Sequence, residues 1–242
     1  ADGFRSENEG FMHACGHDAH ATVGVGVLDA IAASEFSGTL KLFFQPSEEA
    51  VAGGEPLAGG GHLDDVDYLL ALHVGLDHPT GEVVAGIEEF LAVSHFHADF
   101  AGAAAHAGGH PERGRNAVQA MATAVTNLYA VPRHHDGATR VNAGRVGGGT
   151  ASNVVPESAF LEGEVRGETT DLMEYMDDHA GRILRAAAEL HDCTVDVERT
   201  GRAPGGESDD ALAAVVGAVA ETTAGVETVR HSADLGVSED AT

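Results

Sequence analysis

Between residues 92 and 204 the spacing of apolar residues changes in a fixed order, and no other feature of the chain constrains its fold as tightly. Residues 93–100 alternate apolar and polar, the two-residue period of a strand. Residues 117–129 carry Val118, Met121, Ala122, Val125 and Leu128 at helical spacing. Residues 139–146 and 159–166 read as strands, and 193–199 as a further one. Between the last two, residues 170–191 form a long predicted helix, with Leu172, Tyr175, Met176, His179, Ile183 and Leu190 along one side. The order β-α-β-β-α-β is the split βαβ arrangement. It predicts a ferredoxin-like α+β sandwich inserted into a larger domain. The expected division is therefore 1–91, an inserted domain over 92–204, and a return segment over 205–242 that begins with a helix at 211–223.

The flanking segments read differently. Residues 1–20 are loop-like and rich in histidine, and a helix is expected over 21–33. The runs TLKLFF (39–44) and YLLALHV (68–74) read as buried strands, separated by a glycine-rich loop over 50–62. Each delivers polar residues just past its C-terminal end, where open α/β sheets place their ligands. The expected fold class is α/β, with helices on both faces of a catalytic sheet, plus the inserted α+β domain.

Charge narrows the partners. The 242 residues hold 39 acidic and 13 basic side chains, a formal net charge of −26, and Lys41 is the one lysine. Such a chain repels nucleic acid and acidic membrane surfaces, and the depletion of lysine suggests a high-salt cytoplasm, where screening tolerates the self-repulsion. No apolar run approaches the roughly 18 residues of a membrane span, and no basic stretch precedes an apolar one at the N-terminus. Two cysteines, Cys15 and Cys193, do not make a disulfide scaffold, which fits a reducing compartment. A cytoplasmic protein is expected.

Five clusters carry possible chemistry. In HACGHDAH, over 13–20, Cys15 and His17 stand two apart in a loop suited to a metal ion, although a solvated loop or a nucleophilic Cys15 with a histidine base would give the same pattern. Glu48 and Glu49 follow a hydrophobic run; adjacent carboxylates are unfavourable unless a cation holds them, and one can ligate while the other serves as a base. The bland alternative is an acidic turn. His73 closes YLLALHV, where a histidine is either structural or a third metal donor. His106 lies between small residues in AAAHAGG. Asn153 and Arg166 are suited to gripping a carboxylate, Arg166 through its planar fork, while a surface ion pair is the plain reading of Arg166. Cysteine, histidine and glutamate together suit Zn²⁺, Co²⁺ or Mn²⁺.

The runs MHACGHDAH, FFQPSEE, ALHVG, AAAHAGGHPERGRNA, ASNVVPESAFLEGEVRGE and GVSEDAT occur in the order found in the aminoacylase/carboxypeptidase-G family of metal-dependent amidohydrolases. The chain resembles that family over nearly its whole length, and HAGGHPERGRNA and SEDAT narrow the likeness to its aminobenzoyl-glutamate hydrolase branch. The resemblance implies a catalytic α/β domain with an inserted lid or dimerisation domain and two divalent metal ions per site. It implies hydrolysis of an N-acyl or N-aroyl amino acid to release the amino acid. It also implies a homodimer, or a heterodimer with a paralogous subunit, formed through the inserted domain. Position by position, Cys15, His17, Glu49 and His73 resemble metal ligands, and Glu48 resembles the general base. His106 resembles a histidine that reaches the neighbouring subunit's site, and Asn153 and Arg166 resemble the carboxylate grip.

Members of the family are longer at both ends. Their early catalytic strands would precede Ala1, and a final histidine ligand would follow Thr242. Two other classes stay open: a cysteine hydrolase using Cys15, and a non-catalytic fragment that dimerises through residues 92–204.

Overall fold

The structure is a computed structural model that describes residues 5–12, 14–75, 78–234 and 238. The chain begins with helix α1 (His17–Ala32), a 3-10 turn at Glu48–Ala50 and the short helix α2 (Gly54–Gly59). Strands β1 (Glu82–Val84) and β2 (Ile87–Glu89) lead to β3 (Ala92–Ala101), β4 (Ala105–His106) and helix α3 (Ala117–Leu128). Strands β5 (Thr139–Gly148), β6 (Val154–Val155) and β7 (Ser158–Gly167) follow, then helix α4 (Thr170–Leu190) and strand β8 (Thr194–Ala203). Helix α5 (Asp210–Ala220) and strands β9 (Thr228–Arg230) and β10 (Ala233–Asp234) complete the series.

The alternation in 92–203 builds one antiparallel sheet in the order β5-β7-β3-β8. Taken by chain position the strand order is 2-3-1-4, with α3 and α4 as the two crossovers, the split βαβ topology. Phe96, Ala98 and Phe100 of β3 and Leu161 and Val165 of β7 turn to the face covered by α3 and α4, where they meet Met121, Leu128, Met173, Met176 and Leu184. The two-residue period sends His95, His97, Glu162, Glu164 and Arg166 to the opposite face. Helix starts follow local chemistry. Asn116 accepts from Gln119 N–H at 3.0 Å, Thr169 from Leu172 N–H at 3.3 Å, and Asp209 from Leu212 N–H at 2.9 Å, each side-chain oxygen taking an otherwise unpaired amide.

Two expectations are corrected. Residues 39–44 and 68–74 are not strands. A strand needs a neighbour to take its amides and carbonyls, and among the described residues neither run has a ladder partner. Nor are they buried: Phe44 is 62% and Tyr68 73% exposed. The parallel pairings observed outside the large sheet are the short β1-β9 and β10-β2. Helix α1 also starts at His17 rather than 21, because Gly16 takes a left-handed conformation (φ 86°) that lets the chain turn directly from Cys15 into helix. Among the described residues no helix is long and apolar enough to cross a membrane.

Candidate metal centre

Three segments far apart in sequence meet at the start of α1. Cys15 sits in the loop, His17 on the first helical residue, Glu48 and Glu49 on the 3-10 turn, and His73 near the end of the 68–74 run. The approach is close: a Cβ on Gly16 would lie 2.5 Å from Val74 Cγ2, so glycine is required there by space as well as by φ. Val74 N–H donates to His20 Nε2 at 2.9 Å, which ties the 72–74 backbone to the first turn of α1. His20 titrates below its ordinary value, first because burial disfavours the imidazolium and then because His73 and His17 stand beside it.

Two donor groups share His17. The ligand-type atoms of Cys15, His17 and His73 lie within 4.8 Å of one another, and so do those of His17, Glu48 and Glu49. His17 Nε2 is 3.2 Å from Glu48 Oε2 and 3.8 Å from Glu49 Oε1. Cys15 Sγ is 3.5 Å from His73 Nε2. The tautomer of His73 follows from its other nitrogen. Nδ1 stands 2.8 Å from the Val74 carbonyl oxygen, which can only accept, so Nδ1 carries the proton and Nε2 presents a lone pair toward Cys15. A thiolate, imidazole lone pairs and carboxylate oxygens converging on one small volume are the donor chemistry of a Zn²⁺, Co²⁺ or Mn²⁺ site, and a carbonyl-anchored imidazole is the usual way a ligating histidine is oriented. The residues present therefore fit a metal. An open cleft of about 1110 Å³ adjoins them, lined by Cys15 and Glu49 and by Asn8, Phe11 and Met12 of the N-terminal segment.

The other expected site residues lie on the sheet domain. His106 is in β4, paired with Val154 of β6, and Asn153 immediately precedes β6, its carbonyl accepting from Ala107 N–H at 2.9 Å. The two are thus neighbours on the small antiparallel pair of β4 and β6, which α3 and β5 separate in the chain. Gly108 N–H donates to His106 Nδ1 at 3.2 Å, so in that tautomer Nε2 of this exposed side chain is the nitrogen that can donate. Arg166 is on the face of β7 opposite the helices and binds Glu164 side-on, Nε to Oε1 at 3.0 Å and Nη2 to Oε2 at 2.9 Å. Its Nη1 donates to Ser238 Oγ at 3.1 Å. His20, Glu164 and Ser238 were not among the expected site residues. Ser238 belongs to GVSEDAT, whose other residues, like His13 of the first motif, lie outside the described residues.

The family model described as peptidase family M20/M25/M40 matches residues 1–242. The chain is 42% identical over 243 residues to indole-3-acetyl-aspartic acid hydrolase of Enterobacter agglomerans, covering 99% of this chain and 56% of the relative. It is 41% identical over 245 residues to one of the p-aminobenzoyl-glutamate hydrolase subunits of Escherichia coli (strain K12), covering all of this chain and 56% of the relative. Among solved structures, the aminobenzoyl-glutamate utilization protein of Klebsiella pneumoniae superposes with a TM-score of 0.89 at 39% identity, over 96% of this chain and 59% of that one. The chain spans little more than half the length of these relatives.

Proposed function

Because the chain belongs to peptidase family M20/M25/M40, we propose that Cys15, His17, Glu49 and His73 hold divalent metal in an amidohydrolase that releases an amino acid from an N-acyl or N-aroyl amino acid. The observation that carries this reading is the meeting of two donor groups at His17. The relatives named for aminobenzoyl-glutamate and indole-acetyl-aspartate point to an acidic amino acid joined to an aromatic acyl group. Phe11 and Met12, exposed beside Cys15 and Glu49, offer apolar surface for such a group.

A pair of Zn²⁺, Mn²⁺ or Co²⁺ ions, when bound, supplies Lewis acidity that acidifies water and polarises the amide carbonyl. Glu48, 3.2 Å from His17, takes the proton of the attacking water and delivers it to the leaving amine nitrogen. His106 donates Nε2–H to the developing oxyanion. Asn153 and Arg166 hold the carboxylate of the departing amino acid and so convert binding into orientation. In this reading residues 1–91 and 205–242 belong to the catalytic domain, and 92–204 form the lid or dimerisation domain. That domain brings His106 into the site of a partner subunit, whether a second copy or a paralogue. The charge of −26 supports a high-salt cytoplasm as the setting.

Metal content and hydrolysis of p-aminobenzoyl-glutamate by the full-length protein test the reading. Turnover lost to a chelator and restored by Zn²⁺, Mn²⁺ or Co²⁺ is expected. Chelator-resistant turnover that disappears in Cys15→Ser would mean that Cys15, 3.5 Å from His73 Nε2, is a nucleophile instead. A metal-free dimer without turnover would make the chain a non-catalytic dimerisation unit.

A further inference from the structure

The proposed carboxylate anchor does not stand alone on its sheet. Register places Glu164 of β7 directly opposite His95 of β3 and opposite Asn142 of β5, on the face away from α3 and α4. His95 Nε2 is 3.2 Å from Glu164 Oε2, and Arg166, two residues along the same strand, meets both carboxylate oxygens. All three side chains are about three-quarters buried. The His95 imidazole first, and then the Arg166 guanidinium, hold the Glu164 carboxyl down at about 2, against burial, which pushes the other way.

The geometry decides which donors of Arg166 remain. A guanidinium has five N–H groups in a rigid fork. The side-on pairing uses Nε and one hydrogen of Nη2. What is left is the second hydrogen of Nη2 and the two of Nη1; one from each nitrogen makes the end-on edge, and Nη1 also donates to Ser238 Oγ. Two parallel donors on that edge match the two oxygens of a carboxylate.

We propose that Glu164, itself braced by His95, is a positioning residue that fixes the Arg166 guanidinium side-on and so presents its Nη1–Nη2 edge to the carboxylate of the bound amino acid. This deepens the reading of Arg166 as the anchor and rests on it. Two effects of Glu164 oppose each other. Its negative charge weakens the attraction of Arg166 for an anion, while its two hydrogen bonds remove the rotational freedom that an unbraced arginine would lose on binding. Positioning wins if the frozen geometry matters more than the offset charge, and the sign of the change in KM reads this out directly.

The experiment is steady-state hydrolysis of p-aminobenzoyl-glutamate by the full-length metal-loaded protein. Glu164→Gln is expected to raise KM roughly 3- to 10-fold, the cost of ordering one rotamer-rich side chain, with kcat little changed. Glu164→Asp keeps the charge but withdraws the carboxylate by one methylene, and it should raise KM as well; it also serves if the Gln variant does not fold. Arg166→Ala should raise KM at least as much, and Glu164→Gln added to it should cost nothing more. If Arg166→Ala raises KM while Glu164→Gln lowers it or leaves it unchanged, Glu164 merely offsets charge and the inference falls alone. If Arg166→Ala leaves KM unchanged, the anchor reading falls and the inference with it.

Discussion

Gly201 and Ala50 stand closer than any side chain would allow: a Cβ on Gly201 would lie 2.1 Å from the Ala50 carbonyl oxygen and 3.0 Å from that of Val51. Gly201 sits beside the irregularity where β8 slips against His95 and Phe96 of β3, and the next residue, Arg202, donates its N–H to Val51 O at 2.9 Å. The edge of the large sheet thus holds the backbone of the turn that carries Glu48 and Glu49. Gly201→Ala must displace that turn or bend β8. Overpacking of this kind costs about 1–3 kcal/mol, and the helix-covered core of Phe96, Leu161 and Met176 is out of its reach. The expected outcome is weakened metal binding and turnover with the sheet's near-ultraviolet signature retained. Wild-type turnover in Gly201→Ala would show that the turn does not depend on this contact.

Glu48→Gln keeps the shape of the side chain but removes its basicity. Turnover of the full-length protein should fall by roughly 10²–10⁴-fold, while melting temperature and metal stoichiometry stay close to wild type. A variant that retains its rate would remove Glu48 from proton transfer.

The two cysteines should separate cleanly. Cys15 faces His73 Nε2 at 3.5 Å, whereas Cys193 is buried in the core beside α3 and α4, where burial pushes its thiol up. Cys15→Ser exchanges a soft donor for a poor one and should weaken metal binding by at least the roughly 10- to 100-fold seen for outer-sphere changes. Cys193→Ser should cost about 1 kcal/mol of stability and leave metal affinity unchanged. Equilibrium dialysis of both variants decides the matter; equal affinities would exclude Cys15 as a ligand.

Acid should act through Glu164. Its carboxyl is held at about 2, against an ordinary 4.5, by His95 and Arg166. A depressed folded-state value stabilises the protein fully above the unfolded value, and that stability is lost as pH falls through the folded one. The window is therefore about pH 4.5 down to 2, and the contribution is on the order of 2–3 kcal/mol. Urea melts of wild type and Glu164→Gln should converge across this window. Parallel curves would show that the carboxylate is not the titrating group.

Salt should stabilise the chain strongly. With 39 acids against 13 bases, self-repulsion reaches roughly 30 Å at 0.01 M ionic strength but only about 3 Å at 1 M. Melting temperature should rise steadily with KCl, and an unchanged value would contradict the high-salt setting.

Sequence by itself determined the sandwich over 92–203, because a strand or helix facing a core writes its own period into neighbouring residues: Phe96, Ala98 and Phe100 on one side of β3, Leu172 and Met176 along α4, although Leu190, expected on the same side, is exposed and Leu184 is buried in its place. It also singled out Cys15, His17, Glu48, Glu49 and His73 as site candidates, which the structure brings close together around His17. What only the tertiary structure decided depends on partners distant in the chain. The apolar runs 39–44 and 68–74 have strand composition, yet pairing is a property of two segments, and the described residues offer them no second one. The proton on His73 Nδ1 was settled by a backbone carbonyl, and the role of His20 by the amide of Val74. The chain of contacts from His95 through Glu164 to Arg166 joins residues far apart in sequence and exists through the antiparallel register of β3 and β7. The nearness of Gly201 to Ala50 has no local signal at all, since a glycine in a strand reads alike whether its missing Cβ faces solvent or the turn that carries Glu48.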